Sequence, residues 1–334
     1  MIDKFGRKVN YLRLSVTDRC DLRCSYCMPK KNSKLYPKSE ILSLDALKRI
    51  TKVLINLGIK KIRVTGGEPL IRKDINQFLD FISSLKCQGL EEVLITTNGT
   101  QLKKYAKKIS DLGIKKINVS LDSLNSKKFK FLTNGGNLTD VLDGIYEAKK
   151  YKLDLKINTV LLKDFNENEI LKMVKWCADY NFKQTFIEVM PVGKVDLQRS
   201  NQFLPVSSAK EKIKKAFGLY PICFKTNGPS RYYQTEKLNN IIGFISPLTN
   251  NFCSTCNRIR VTSNGILYPC LGDNGSTNLI DLLKFDDNKL YQKIRHVIFN
   301  KPEKHFFTAD DKTYINNRYM NTTGGWWNLG KLDS

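Results

Sequence analysis

The chain has 334 residues, of which 41% are hydrophobic, and 56 Lys and Arg stand against 32 Asp and Glu for a net charge of +24. This apolar content excludes a disordered chain, and no run reaches the roughly 18–20 apolar residues of a membrane span. The charge admits a nucleic acid, an acidic lipid surface or a small polyanion as partner, but it is mostly scattered lysine, which also serves as a solvated surface, so it decides nothing alone. Met1–Asn10 holds no signal-peptide core, and a cytoplasmic protein with no membrane contact is expected.

In chain order, β-rich runs fall at Tyr11–Thr17, Lys61–Thr65, Glu92–Thr97, Lys116–Ser120, Leu155–Leu161 and Thr185–Met190. Helical spacing separates them. Leu44, Leu47, Ile50, Val53, Leu54 and Leu57 share one face, with Ser43 as N-cap and Gly58 as stop, and similar stretches cover about 74–86, 100–112, 139–151 and 167–180. Strands alternating with helices predict a parallel sheet with helices outside. The pattern breaks after Leu204, where Gly, Asn, Pro and aromatics intersperse with short strands at Tyr232–Tyr233 and Asn240–Ile245. A boundary is placed near 220, giving regions 1–220 and 221–334.

The strands alternate in polarity. Leu12, Leu14 and Val16 interleave with Arg13, Ser15 and Thr17; Ile62 and Val64 with Lys61, Arg63 and Thr65; Ile117 and Val119 with Asn118 and Ser120; Leu155 and Ile157 with Lys156 and Asn158; Ile187 and Val189 with Glu188 and Met190. Strands covered by helices on both faces are apolar throughout. A barrel instead has an outer face under helices and an inner face around a central space. The inward set is then Arg13, Arg63, Asn118, Ser120, Lys156 and Glu188, a mostly cationic lining that calls for an anionic occupant. Edge strands facing water would alternate too, but five strands of one sheet cannot all be edges.

Six of the nine cysteines form two groups: Cys20, Cys24 and Cys27, then Cys253, Cys256 and Cys270. In a reducing compartment clustered thiols read as metal ligands, and the isolated Cys87, Cys177 and Cys223 as small core residues. A structural zinc site needs four protein ligands. A 4Fe–4S cluster normally takes four cysteines, so three leave one iron open. A zinc loop completed from elsewhere is the competing reading of the first group, and a zinc ribbon that of the second. Between Cys256 and Cys270 lies Asn257-Arg258-Ile259-Arg260, whose arginines share one face if extended, to hold phosphates, a base edge or merely a metal's charge.

Cys20-x3-Cys24-x2-Cys27, on a loop leaving the first strand, resembles the signature of the radical S-adenosylmethionine enzymes, and Gly66-Gly67-Glu68-Pro69 matches the element those enzymes set against the methionine end of the cofactor. From about Tyr11 to Gly325 the sequence resembles the GTP 3′,8-cyclases, which begin molybdenum cofactor (molybdopterin) biosynthesis. The resemblance is carried by Leu12-Arg13-Leu14-Ser15-Val16-Thr17-Asp18-Arg19-Cys20, Arg63-Val64-Thr65-Gly66-Gly67-Glu68-Pro69-Leu70, Thr96-Thr97-Asn98-Gly99, Val119-Ser120-Leu121-Asp122, Lys156-Ile157-Asn158-Thr159 and Phe252-Cys253-Ser254-Thr255-Cys256-Asn257-Arg258-Ile259-Arg260.

The resemblance implies an α/β fold, an incomplete (β/α)6 TIM-like barrel with a C-terminal extension carrying a second iron–sulfur cluster. It implies a lyase that turns GTP into (8S)-3′,8-cyclo-7,8-dihydroguanosine 5′-triphosphate, the deoxyadenosyl radical taking the ribose 3′ hydrogen and the C3′ radical attacking C8. Cys20, Cys24 and Cys27 would bind the cluster that cleaves S-adenosyl-L-methionine, with Tyr26, Gly67, Ser120 and Met190 against that cofactor. Cys253, Cys256 and Cys270 would bind the second 4Fe–4S cluster, whose open iron meets guanine. Arg13, Arg63, Thr96, Lys156, Arg258 and Arg260 would bind GTP, and Arg13, Arg258 and Arg260 would also bear on catalysis. Gly324-Gly325, after Arg318 and Met320, matches a tail that enters the active site; here Trp326 to Ser334 follow it, a departure from the family pattern. Implied partners are an electron donor and a downstream cyclic pyranopterin monophosphate synthase, with no nucleic acid, and with the choice between monomer and homodimer open. A peptide-modifying radical enzyme with an auxiliary cluster and a non-enzymatic iron–sulfur carrier or nucleic-acid-binding protein are the alternatives; the first usually carries more C-terminal cysteines, and the second leaves the inward polar strand faces unexplained.

Overall fold

The computed structural model describes residues 1–28, 35–190, 202–224, 226, 228–250, 252–273 and 275–305. Arg318, Met320, Gly324, Gly325 and the stretch from Trp326 to Ser334 lie outside the described residues.

Six parallel strands form in chain order: β1 (Tyr11–Ser15), β2 (Lys61–Thr65), β3 (Glu92–Thr97), β4 (Lys116–Ser120), β5 (Asp154–Leu161) and β6 (Lys183–Glu188). Helices α1 (Leu44–Asn56), α2 (Ile75–Ser84), α3 (Leu102–Asp111), α4 (Ser126–Leu132), α5 (Leu138–Lys150) and α6 (Ile170–Asp179) make the crossovers. Capping chemistry fixes α1: Ser43 Oγ accepts from Ala46 N at 3.2 Å, and Gly58 follows at φ +98°. Leu12, Leu14, Ile62, Val64, Ile117, Val119, Leu155 and Ile157 all pack into the layer under the helices, as alternation requires.

After 204 come α7 (Val206–Phe217), β7 (Tyr220–Pro221), β8 (Arg231–Gln234), β9 (Ile241–Ile245), β10 (Arg258–Val261), β11 (Ile266–Tyr268), β12 (Thr277–Asn278) and α8 (Asp287–Phe299). These strands build no sheet of their own. β9 adds parallel to β6 and β10 adds parallel to β1, so the order is β12-β11-β10-β1-β2-β3-β4-β5-β6-β9-β8-β7, an open, partial barrel lengthened at both edges. The expected elements include neither α7 nor α8. α8 buries Leu290, Ile294 and Ile298, one residue per turn, and Asp287 pairs with Arg49 of α1 at 2.7 Å.

One inward assignment is corrected. Residues paired across parallel strands face the same side, and Lys156 pairs with Lys183, Asn158 with Thr185 and Val160 with Ile187. Glu188 therefore points outward, like Phe186, which packs against Phe244 under the helices. Its buried carboxylate accepts from Val206 N at 3.2 Å and Thr249 Oγ1 at 2.7 Å, supplying an anion at the start of α7. A Val or Ile at every second position suggests the opposite phase, because β6 is apolar on both faces near its end.

Gly66 and Gly67 are where β2 meets the loop after β1. A Cβ on Gly67 would lie 2.2 Å from Arg19 O, and one on Gly66 2.5 Å from Thr17 O. Gly67 N and Glu68 N donate to Thr17 O and Arg19 O, both at 2.8 Å. The glycines thus serve the docking of two backbone segments, a need separate from any ligand. Gly67→Ala is expected to cost about 3 kcal/mol, the upper end of overpacking, because backbone rather than a mobile side chain must yield. Thermal unfolding of the two proteins checks this; an unchanged midpoint would mean that the loop shifts freely.

Candidate active site

Both cysteine groups border one cavity of about 760 Å³, inside the size range of small-molecule sites. They border it from opposite ends. Cys20, Cys24 and Cys27 follow β1, whereas Cys253 and Cys256 precede β10, which runs parallel to β1 with Tyr11 opposite Arg258. Cys270 follows β11, antiparallel to β10, and so returns to the same end as Cys256. The five residues of β1 between the two ends span about 17 Å at ~3.3 Å per residue.

Cations line the wall between them. Strand register sets Arg260, Arg13 and Arg63 side by side on β10, β1 and β2. Like charges directly opposite one another are destabilising, and here water is partly excluded as well: Arg63 is buried, and Arg13 and Arg260 are half-buried in the cavity wall. Burial together with the Arg63 and Arg258 charges pulls Arg13 down to about 10, and burial with Arg13 and Arg258 pulls Arg260 well below its ordinary value. Arg260 Nη1 is buried without a hydrogen-bond partner. An anion between its members would offset this repulsion.

Arg63 is held in place: Nε donates to Tyr11 Oη at 2.6 Å and Nη1 to Ile95 O and Thr96 Oγ1, both at 3.2 Å. Arg258 stacks 4.9 Å from the Phe252 ring and donates to Cys256 Sγ at 3.7 Å. Lys156 reaches Tyr232 Oη at 3.4 Å across the cavity, and burial lowers its pKa. Tyr26, Gly67, Ser120 and Met190 border the same cavity near the first cysteine group, as do Asn118 and Asn158. Every residue expected at the site borders the cavity except Gly324 and Gly325, which are not among the described residues.

Two family models match the chain: the radical SAM superfamily over residues 14–177 and Molybdenum Cofactor Synthesis C over residues 182–307. The curated GTP 3′,8-cyclase of Brucella ovis is 44% identical over 330 residues, covering 97% of this chain and 96% of that protein. The GTP 3′,8-cyclase of Brucella suis biovar 1 matches to the same extent, 44% over 330 residues. The chain belongs to the GTP 3′,8-cyclase family. Among solved structures, Streptococcus suis SuiB bound to S-adenosylmethionine superposes with TM-score 0.58 at 17% identity, covering 86% of this chain and 68% of that one. Histidine-tagged anSMEcpe with bound AdoMet gives 0.56 at 18%, covering 84% and 79%. At these identities the two structures bear on the fold alone.

As a radical S-adenosylmethionine enzyme of this family the cyclase uses a 4Fe–4S cluster and S-adenosylmethionine. The first cysteine group fits that cluster by its donor chemistry: three free thiols facing one cavity, with Asn98 Nδ2 3.6 Å from Cys20 Sγ as a hydrogen-bond donor. Among the described residues no three His, Cys, Asp or Glu side chains close on a single-ion position. A cluster, in which the three thiolates would go to three different irons, spreads its ligands wider than one ion does. Burial and the Glu68 carboxylate push the Cys20 thiol up to about 12, and burial raises Cys24 as well, so loading this group releases protons. In the second group burial raises Cys270, but Cys256 differs. Burial opposes ionisation of Cys256, but the Arg258 and Lys301 cations prevail and bring it to about 6.

Sequence reasoning missed the residues that hold these loops. Glu68, fully buried, accepts from Leu70 N at 3.0 Å, Thr97 Oγ1 at 2.9 Å and Asn98 N at 2.6 Å, tying the end of β3 to the glycine turn. Tyr26 Oη donates to the buried Asp122 at 2.6 Å, and Asp122 also accepts from Val160 N at 2.8 Å. Glu68, Asn98 and Asp122 lie inside the family motifs, but only side-chain partners reveal their work. Tyr11 shares the inward phase of Arg13 and borders the cavity, but its aromatic ring does not stand out as polar against the apolar positions of β1.

Proposed function

We propose that this chain is a GTP 3′,8-cyclase that binds GTP in the barrel cavity between two iron–sulfur clusters, with residues 1–220 as the partial barrel and 221–334 as the region bearing the second cluster. The first cluster, on Cys20, Cys24 and Cys27, supplies the electron that cleaves S-adenosylmethionine. The observation that carries the reading is the in-register row Arg260–Arg13–Arg63 between the two cysteine groups. A polyanion satisfies the row, and a nucleotide held there with its base toward the second group has its ribose toward the first.

In this reading the residues divide the work by position. Arg13, Arg63, Thr96 and Lys156 bind GTP. Arg258 and Arg260 sit nearest the second group and act on the base end, on binding and on the electron distribution during ring closure. Tyr26, braced by Asp122, and Gly67, Ser120 and Met190 place S-adenosylmethionine. Cys253, Cys256 and Cys270 fit a cluster with one open iron by the same donor argument as the first group. Their spacing lacks the second Cys-x2-Cys pair of a zinc ribbon. The site works in the cytoplasm with an external electron donor, and its product passes to a cyclic pyranopterin monophosphate synthase.

The test is anaerobic reconstitution followed by assay with GTP, S-adenosylmethionine and reductant. Formation of 3′,8-cyclised nucleotide, dependent on GTP, is expected; 5′-deoxyadenosine with no nucleotide product would point to a different radical substrate. Lys156→Ala removes one buried cation and is expected to raise the GTP requirement about tenfold, the cost of one charge-assisted hydrogen bond. Unchanged GTP affinity by equilibrium dialysis would place Lys156 away from the phosphates.

A further inference from the structure

The second cysteine group is assembled from two separate stretches, Cys253–Cys256 before β10 and Cys270 after β11. β10 and β11 pair as Arg260↔Tyr268 and Val261↔Leu267. Continued by two residues, the ladder would set Arg258 opposite Cys270. The ladder stops there, and the carbonyls of Arg258 and Pro269 both accept from Lys301 Nζ, the first at 3.0 Å. Lys301 is 1% exposed. A buried ammonium is costly unless its donors are used and negative charge lies near it. Here it takes two carbonyls, one from each stretch, and its charge acts on Cys256 and Cys270.

Lys301 is itself fixed from the far end of the chain. Arg7 Nε donates to Asp3 Oδ2 at 2.6 Å, and Arg7 Nη1 to Cys253 O at 2.9 Å and Glu303 O at 2.6 Å. Arg7 Nη2 donates to Pro302 O at 2.6 Å and Lys301 O at 3.4 Å. Every N–H donor of this buried guanidinium is used, and those of Nη1 and Nη2 bind the backbone of Lys301–Glu303 to that of Cys253.

We propose that Lys301 is a positioning residue for the second cluster: its ammonium takes the place of the missing β-ladder bonds, draws Cys270 toward Cys256, and counters the negative charge of the loaded site. The proposal rests on the reading that Cys253, Cys256 and Cys270 hold a cluster. A residue that only satisfied two carbonyls would be replaceable by a neutral donor with no effect on redox behaviour.

The experiment uses the full chain, reconstituted anaerobically with ferrous iron and sulfide, as wild type, Lys301→Met and Lys301→Gln. Two clusters give about eight irons per chain. Lys301→Met is expected to retain about four irons and to cleave S-adenosylmethionine still. Lys301→Gln is expected to keep both clusters, with the midpoint potential of the second lowered because the cation that favours the reduced form is gone. Full iron and unchanged potentials in Lys301→Met would overturn the proposal. If Lys301→Met loses both clusters, Lys301→Gln decides, and an unchanged potential there overturns it. Wild type holding only about four irons would instead remove the second-cluster reading.

Discussion

Cys24→Ala is expected to abolish reductive cleavage of S-adenosylmethionine. The backbone of the loop does not depend on the thiol: Cys27 N and Met28 N donate to Cys24 O at 2.9 and 2.8 Å, and Ser25 N donates to Leu132 O at 2.9 Å. The variant therefore keeps the turn and loses one of three cluster ligands. Removing partners beyond the ligands of a metal site costs roughly 10–100-fold, so loss of a ligand itself should exceed about 100-fold. Formation of 5′-deoxyadenosine under reductant is the measurement. Turnover within about tenfold of wild type would end the assignment of Cys24 as a ligand.

Cys270→Ala should separate the two halves of the reaction. The second group lies at the opposite end of the cavity, about 17 Å along β1 from the first. Cleavage of S-adenosylmethionine should persist near its wild-type rate, while cyclised nucleotide falls to background. A Cys270 variant that still cyclises GTP would remove the second cluster from the reaction. The contrast with Cys24→Ala matters: one variant silences both readouts, and the other silences one.

Much of the fold was legible because its signals are local. Helix α1 has an N-cap, a one-sided apolar stripe and a glycine stop, and all three sit within sixteen consecutive residues of Ser43–Gly58. The inward face of β1, β2, β4 and β5 could be read because polar and apolar residues alternate and the outer face is covered by helices. β6 failed because Ile187 is inward and apolar while Glu188 is outward and charged; its phase comes from pairing with β5, which no pattern within β6 contains. α8 was missed because its stripe of Leu290, Ile294 and Ile298 is thin and its burial depends on α1.

The sequence by itself determined the two cysteine triads, the cationic inner face and the family, because spacing and alternation within short windows carry them. Only the tertiary structure decided how these meet. β10 joins β1 from across about 250 residues, which places Arg260 beside Arg13 and puts the second triad at the far end of the cavity from the first. The braces — Glu68 on Asn98, Asp122 on Tyr26, Arg7 and Lys301 on the second triad — are contacts between residues distant in the chain. Each is a buried polar group whose role depends on the partner that satisfies it, and a partner is known only once the chain has folded.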